Sequence, residues 1–491
     1  MKTNVVRACR LALIVLGVGL AGEPPVVLSA ERPNILFFLV DDFGARDLAC
    51  YGSTLYQTPH MDRLAAEGVR FTNAYAAYPR CVPSRQAIFS GKYSCRVEVE
   101  RTASPGGGHP LPLGDVTFGE ALQAAGYRTG YIGKWHLGDE GGGPGEQGFE
   151  TVIHAGSAGA TGSFFHPFTV EKGRSVEHPL TSEEGDYLID RMTDAAVDYV
   201  EQESGQPFLL VVSHYAVHTP LEAPDALTQT YEETLRSRGV AIGGDKEDAD
   251  LVRDREGVSK TLQNNPVYAA MVEKTDESLG RLMQSLARLG IDSNTIVVVT
   301  SDHGGLSTRG LENRRPLATS NAPFRQGKGS IFEGGLRVPL IVKWPGRATT
   351  GGVSAVQVNG TDHYPTLLEM AGLPLRPEQH VDGSSYCRAL QGEVYERAPI
   401  FCNKWMARPN STGDTRAMSL IDGRWKLILW LDEDLVELYD LSTDISEATN
   451  LAGEMPERAE AMLHTLLAQE AAIGSLREKG LAATRRRMER E

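Results

Sequence analysis

The stretch Asn34–Val40 (NILFFLV), closed by Asp41-Asp42, decides the fold. It is a short apolar run without polar alternation, the pattern of a strand covered on both faces of a parallel sheet. Two later runs repeat it. Residues 208–212 (FLLVV) end at Ser213-His214, and residues 296–300 (IVVVT) end at Ser301-Asp302-His303. Helical patterns at 187–203 and 268–289 precede these two runs. Such alternation predicts an α/β fold with a mostly parallel central sheet flanked by helices. Ligands of open α/β sheets bind beyond the carboxyl ends of the strands. Asp after a strand is also a common turn or cap residue, but three strand ends carrying Asp or His predict a site.

Downstream of about residue 416 the texture changes. Residues 416–421, 425–431 and 435–441 read as short strands, with Asp422-Gly423 as a turn, and 456–471 reads as a helix. This predicts a small C-terminal α+β subdomain with an antiparallel sheet, ending in a solvated basic tail at Arg485-Arg486-Arg487. Upstream, Lys2, Arg7 and Arg10 precede an uncharged apolar stretch, residues 11–22, and a small-residue exit at Leu28-Ser29-Ala30. Twelve residues fall short of the roughly 20 that span a bilayer. The pattern is a cleaved secretory signal, with an uncleaved anchor as the alternative. The expected division is therefore 1–30 signal peptide, 31–385 catalytic domain and 386–491 C-terminal subdomain. The mature chain is expected to be secreted or periplasmic, without stable membrane insertion.

The chain has 491 residues, 41% hydrophobic and 23% charged, with a formal net charge of -15. That is globular composition with ample length for a core. The acidic balance argues against nucleic acid or anionic membranes as partners, and any anionic substrate requires positive groups concentrated locally. The six cysteines fit neither a disulfide framework nor a zinc pattern.

The densest chemical motif is Cys81-Val82-Pro83-Ser84-Arg85. Proline favours the first turn of a helix, which puts Cys81 at a helix N-terminus, a place suited to anions and to a thiolate. A buried structural cysteine is the alternative. Cys-x-Pro-Ser-Arg resembles the signature of the type I sulfatases of the alkaline phosphatase superfamily. A second signature of that family stands at Gly126-Tyr127-Arg128-Thr129-Gly130-Tyr131-Ile132-Gly133-Lys134-Trp135-His136-Leu137. The likeness continues through Asp41-Asp42, Ser301-Asp302-His303-Gly304, Gly327-Lys328-Gly329, Glu333-Gly334-Gly335, Tyr364-Pro365-Thr366-Leu367-Leu368 and Glu437-Leu438-Tyr439-Asp440-Leu441.

The resemblance implies an alkaline-phosphatase-like fold and hydrolysis of sulfate esters. Cys81 would be oxidised by a formylglycine-generating maturation enzyme to formylglycine (3-oxoalanine), whose hydrated aldehyde is the nucleophile. Asp41, Asp42, Asp302 and His303, with residue 81, would hold one divalent cation. Carboxylate oxygens favour calcium or magnesium over zinc, and the family favours Ca2+. Many members carry Asn where His303 stands, and an imidazole nitrogen is a less natural calcium donor. Lys134 and Lys328 would contact the sulfate and Arg85 the hydrated aldehyde. His136 would accept a proton from that hydrate, and His218, chosen over His214 by the following Thr219-Pro220, would assist the leaving oxygen. Lys134 and His136 are two apart and share a face if that segment is extended. The export signal and the likeness to bacterial enzymes point to a sulfated carbohydrate as substrate. Asp382-Gly383 and the loop near Asn403-Lys404-Trp405 either shape the pocket or are structural. The alternative readings are a phosphonate or phosphate ester hydrolase of the same superfamily, or a catalytically silent glycan-binding relative.

Overall fold

Asn34–Val40 forms an inner strand of an eight-stranded sheet, all seven residues buried. Across the sheet the order is Gly352–Asn359, Val69–Tyr75, Arg337–Lys343, Thr295–Ser301, Asn34–Val40, Phe208–Ser213, Arg128–Gly133 and Thr151–Ile153. Only Arg337–Lys343 runs antiparallel to its neighbours. The computed structural model describes residues 32–96, 111–138, 142–170, 172–202, 204–244 and 250–473. The expected signal segment and Arg485-Arg486-Arg487 lie outside the described residues.

Side chains alternate across a strand, so Asn34–Val40 feeds two cores. Leu36, Phe38 and Val40 face Met61, Met192, Tyr268 and Leu279, from the helices Pro59–Glu67, Leu188–Glu201 and Pro266–Arg288. Ile35, Phe37 and Leu39 face Phe89, Phe118 and Leu367, from Cys81–Ser90, Phe118–Ala124 and His363–Met370. The sheet is thus flanked by helices on both faces, as expected. Helix starts follow local chemistry: the Asn265 side chain accepts from the amides of Val267 and Tyr268, with Pro266 opening the helix. Among the described residues no helix is long and apolar enough to cross a membrane.

Register places the site. Leu39 is level with both Ser213 and Thr300, and Gly133 is level with Ser213. The residues that follow, Asp41-Asp42, His214, Asp302-His303 and Lys134, therefore emerge along one edge.

The C-terminal sheet is antiparallel, in the order Ile400–Lys404, Ala417–Asp422, Trp425–Trp430 and Leu435–Asp440. The helix Pro456–Ile473 covers one face through Met462 and Leu466. The other face packs Ile421, Ile428 and Trp430 against Tyr75, Ile331 and Phe332. Ile400–Lys404 corrects one expectation: Asn403 and Lys404 end a buried strand, not a loop. Their polarity hides the strand, because Lys404 is buried through its ion pair with Asp414 and its bonds to the Met406 and Thr415 carbonyls. A third sheet, Leu251–Asp254, Gly257–Lys260 and Thr308–Gly310, carries no periodic signal in the sequence.

Candidate active site

Cys81 is the first residue of the helix Cys81–Ser90, after an extended Arg80. Its Sγ lies 3.2 Å from His303 Nε2 and 3.6 Å from Asp41 Oδ1. Ligand atoms of Asp41, Cys81, Asp302 and His303 all fall within 4.8 Å of one another, as do those of Asp41, Asp42, Cys81 and His218. His303 Nε2 is 3.2 Å from Asp42 Oδ1 and 3.6 Å from Asp302 Oδ1. Its Nδ1 donates to the Gly304 carbonyl at 3.0 Å, which leaves the Nε2 lone pair free for a cation held among the carboxylates. A ring nitrogen tied to a carbonyl is the usual support of a metal-binding histidine. Three hard carboxylates and an oriented imidazole thus fit a divalent cation.

Fixed cations stand around this set. Lys134 Nζ is 2.5 Å from Asp41 Oδ2, and Lys328 Nζ is 2.7 and 2.8 Å from the two Asp42 oxygens. Arg85 donates to Asp302 Oδ2 at 2.8 Å, to Ser213 Oγ at 2.8 Å and to the Lys134 carbonyl at 2.7 Å. It therefore braces three strand ends as well as the carboxylates. Lys134 and Arg85 are fully buried.

Burial and neighbouring charge act against each other here. Burial raises the Cys81 thiol, but Lys134, Lys328 and His303 outweigh it and hold the thiol well below its ordinary value. Burial likewise raises Asp42, and Lys328, His218 and His303 bring it down to about 2. Asp302 is lowered, because His303 and Arg85 overcome its burial. Asp41 goes the other way. Burial lifts it well above the carboxylate range despite Lys134, and the charges of Cys81, Asp302 and Asp42 add to the lift.

His136 corrects the extended-strand expectation. The strand Arg128–Gly133 ends before Lys134, and His136 has a left-handed φ of 62°. The ring still reaches Cys81, because its backbone N–H is held by the Gly156 carbonyl at 2.9 Å. Gly159 packs flush on the imidazole, since a Cβ there would stand 2.3 Å from the ring. Burial lowers His136 to about 4, and burial with Lys328 lowers His218 to about 4. Both imidazoles are neutral at neutral pH. His218 Nε2 is 3.8 Å from Asp42 Oδ2, while its Nδ1 donates to the Thr219 carbonyl at 2.7 Å. His214 is not in this set: its Nε2 meets Ser278 Oγ at 2.9 Å and its ring packs on Phe38. Asp382 pairs with Arg96 and binds the Tyr93 amide, a structural role.

The arrangement brings Cys81, three carboxylates, His303 and two lysines around one point. The family profile described as Sulfatase matches residues 33–373. This chain belongs to the sulfatase family. A second profile, N-sulphoglucosamine sulphohydrolase, C-terminal, matches residues 326–472. The sulfatase is 30% identical over 436 residues to steryl-sulfatase of Rattus norvegicus, covering 76% of this chain and 74% of the relative. It is 27% identical over 489 residues to N-acetylgalactosamine-6-O-sulfatase of Bacteroides thetaiotaomicron, covering 87% and 91%. A structure solved in complex with its substrate, D-glucosamine-2-N,6-O-disulfate, superposes with a TM-score of 0.69 at 25% identity, covering 90% of this chain and 98% of the other. The sulfatase is accordingly a sulfuric ester hydrolase.

The motifs do not reveal what holds Cys81 from behind. The Arg80 guanidinium donates to Asp414 Oδ1 at 2.5 Å and to Thr412 Oγ1. Gly329, beside Lys328, lets this group approach. Its φ is +91° and a Cβ there would meet Arg80 at 2.7 Å. The only hint in the sequence is that Arg80 precedes Cys81.

Proposed function

We propose that the enzyme hydrolyses sulfate esters of a carbohydrate with formylglycine, formed from Cys81, as nucleophile and one Ca2+ as cofactor. Supporting this is the convergence of Asp41, Asp42, Asp302 and His303 on Cys81 at a helix N-terminus, with Lys134 and Lys328 alongside. The matured side chain would supply a hydroxyl nucleophile and a second hydroxyl for release of sulfate, and a bound cation would supply Lewis-acid stabilisation of sulfuryl oxygens. Asp41, Asp42, Asp302, His303 and residue 81 would hold that cation.

The remaining work falls to the chain's own groups. Lys134 and Lys328 neutralise sulfuryl oxygens as point charges. Donors fixed before reaction and aimed at developing charge lower a barrier by about 3–4 kcal/mol each. Arg85 fixes residue 81 against the cation ligands. His136, neutral and against residue 81, takes the proton from the hydrate. Lys328 is the standing donor at the leaving oxygen. The Thr219 carbonyl fixes the His218 tautomer with Nε2 as acceptor, so His218 donates to the leaving group only after taking up a proton, which an anionic ester nearby favours.

Residues 31–385 would carry the chemistry and 386–491 would close it from the C-terminal side, with 1–30 directing export to the periplasm or medium. A formylglycine-generating enzyme is the required partner. The experiment is mass spectrometry of the Cys81 peptide, with hydrolysis assays on aryl sulfate, sulfated sugars and matched phosphate esters. The expected result is a peptide mass of aldehyde instead of thiol, with sulfate esters preferred. Unmodified Cys81 in a host that matures a control sulfatase, or a preference for phosphate esters, overturns the reading.

A further inference from the structure

Asp42 holds a backbone conformation that needs outside support. Its φ is +58°, in the left-handed region, which is costly for a residue with a Cβ and persists only where the surroundings over-determine it. The support comes from the two amides that follow. The Phe43 N–H donates to Ser301 Oγ at 3.1 Å, and the Gly44 N–H donates to Asp47 Oδ2 at 2.7 Å. Ser301 Oγ donates onward to the His303 carbonyl at 2.8 Å. The Asp47 N–H returns to the Gly44 carbonyl at 3.0 Å and closes the turn. Gly44 is packed tight, since a Cβ there would stand 2.3 Å from Asn321 Oδ1 and 2.9 Å from Asp47 Oδ2.

Asp47 is fully buried and stands outside the motifs that mark the site. Besides Gly44, its carboxylate accepts from Tyr268 Oη at 2.6 Å on Oδ2, and on Oδ1 from Thr319 Oγ1 at 2.7 Å and Gln263 Nε2 at 3.3 Å. Each of these donors is uncharged. The neighbouring Arg46 gives its guanidinium to the Tyr51 and Gly52 carbonyls. Thr319 opens the segment that leads to Lys328. On that segment Asn321 Nδ2 meets the Gly305 carbonyl at 3.1 Å, Ser307 Oγ at 2.9 Å and the Gln326 carbonyl at 3.1 Å. The Lys328 N–H donates to the same Gly305 carbonyl at 3.0 Å. One carboxylate thus ties two segments that face each other. Through Oδ2 it holds the turn that presents Asp42, and through Oδ1 the segment that presents Lys328, whose Nζ meets both Asp42 oxygens at 2.7 and 2.8 Å.

We infer that Asp47 is a positioning residue of the cation site, fixing Asp42 in its left-handed conformation with Lys328 opposite. This rests on the reading of Asp42 as a ligand of the divalent cation. Because the donors to Asp47 are uncharged, what the site requires of it is acceptor geometry and not net charge.

The test uses matured full-length enzyme, stripped of metal and titrated with Ca2+ by calorimetry, with kcat and KM on aryl sulfate at saturating Ca2+. Asp47→Ala should weaken the Ca2+ Kd by ~10- to 100-fold, the effect of removing an outer partner of a metal ligand, and lower kcat more than it raises KM. Asp47→Asn keeps an oxygen for Gly44 and Tyr268 and turns its amide to the Thr319 hydroxyl, which can accept, so it should regain most of the lost affinity. Thr319→Val, close in volume, cuts the tie to the Lys328 segment and should lower kcat with the Ca2+ Kd near wild type. Asp276→Ala controls for stability. Asp276 is another buried carboxylate, bound to the amides of His60 and Met61 at 3.0 and 2.8 Å, and its loss should lower the melting temperature without moving the Ca2+ Kd.

An Asp47→Ala enzyme that is destabilised like Asp276→Ala but binds Ca2+ as wild type does makes Asp47 structural, overturning the inference and leaving the cation site standing. Equal losses in Asp47→Asn and Asp47→Ala overturn it too, since charge and not the held turn would then set the affinity. Where Asp47→Ala does not fold, wild-type kcat in Thr319→Val overturns the tie to Lys328. A wild type that binds no Ca2+ and keeps its turnover after stripping overturns the cation reading and the inference together.

Discussion

Two regions of this enzyme bury clusters of charge, and they do so to opposite ends. At the seam between the central and C-terminal sheets, Lys426 Nζ lies 2.9 Å from Glu333 and 2.8 Å from Glu447, while Arg337 Nε donates to Glu333 at 2.7 Å. The Glu333 amide also donates to Glu447 at 2.7 Å. Two acids face two bases, and the cluster is closed. At the reaction centre, carboxylates and a thiol face one another as well as the lysines. His218 and Lys328 reach its partly open side, with side chains 19% and 10% exposed. Burial is therefore not what marks the site. Ligand atoms converging on one point, with like charges held together, mark it. The seam uses charge to fix how two sheets meet; the centre holds charge ready for a ligand.

The comparison can be broken in order of expected effect. On the proposed role of Cys81 as the source of the nucleophile, Cys81→Ala should cut turnover of aryl sulfate by ~10^4-fold or more. Its melting temperature should stay near wild type, and a collapse of the fold instead would make Cys81 a structural residue. Lys426→Met should do the reverse. Leaving Glu333 and Glu447 buried without their shared cation costs about 3–5 kcal/mol, read by chemical denaturation, while kcat per folded molecule stays near wild type.

Glu447 sharpens the contrast through pH. Burial raises its pKa to about 7 against Lys426, with Glu333 adding to the rise. A carboxyl raised in the folded state contributes stability below its unfolded pKa of ~4.5 that is lost as pH climbs through about 7. Glu447→Gln should flatten that decline, an effect on the order of 2 kcal/mol between pH 5 and pH 8. An equal decline in the variant would assign it elsewhere. The smallest effect is expected from Gly159→Ala, whose new methyl displaces the His136 ring. Loss of positioning should lower kcat by ~10-fold with little change in stability, and an unchanged kcat would remove His136 from the proton path.

The fold was legible where one strand carries its own signal. The runs at Asn34, Phe208 and Ile296 are apolar because both faces are covered, and the polar pairs after them point to the site directly. Cys81, Lys134 and Lys328 were legible through their motifs. Ile400–Lys404 was not, since it ends in two buried polar residues, and Lys404 is held there by its ion pair with Asp414 and not by apolar character. Nor was the grip on Arg80, because Asp414 stands 334 residues away and no local pattern links them. The condition for Lys134 and His136 to share a face, an extended segment, is not met: a left-handed φ at His136, whose N–H is held by Gly156, turns the ring towards Cys81 instead.

The level alignment of Leu39, Ser213 and Thr300 carries one more consequence. A strand in a ladder cannot shift by a fraction of a residue, only by whole steps of about 3.3 Å that also turn every side chain to the opposite face. Positional error at Asp41, Lys134 and Asp302 is therefore digital. Substitutions within the strands either keep register and leave the centre in place, or lose it and empty both cores at once. Precision at the catalytic edge is inherited from an interior that permits no intermediate setting.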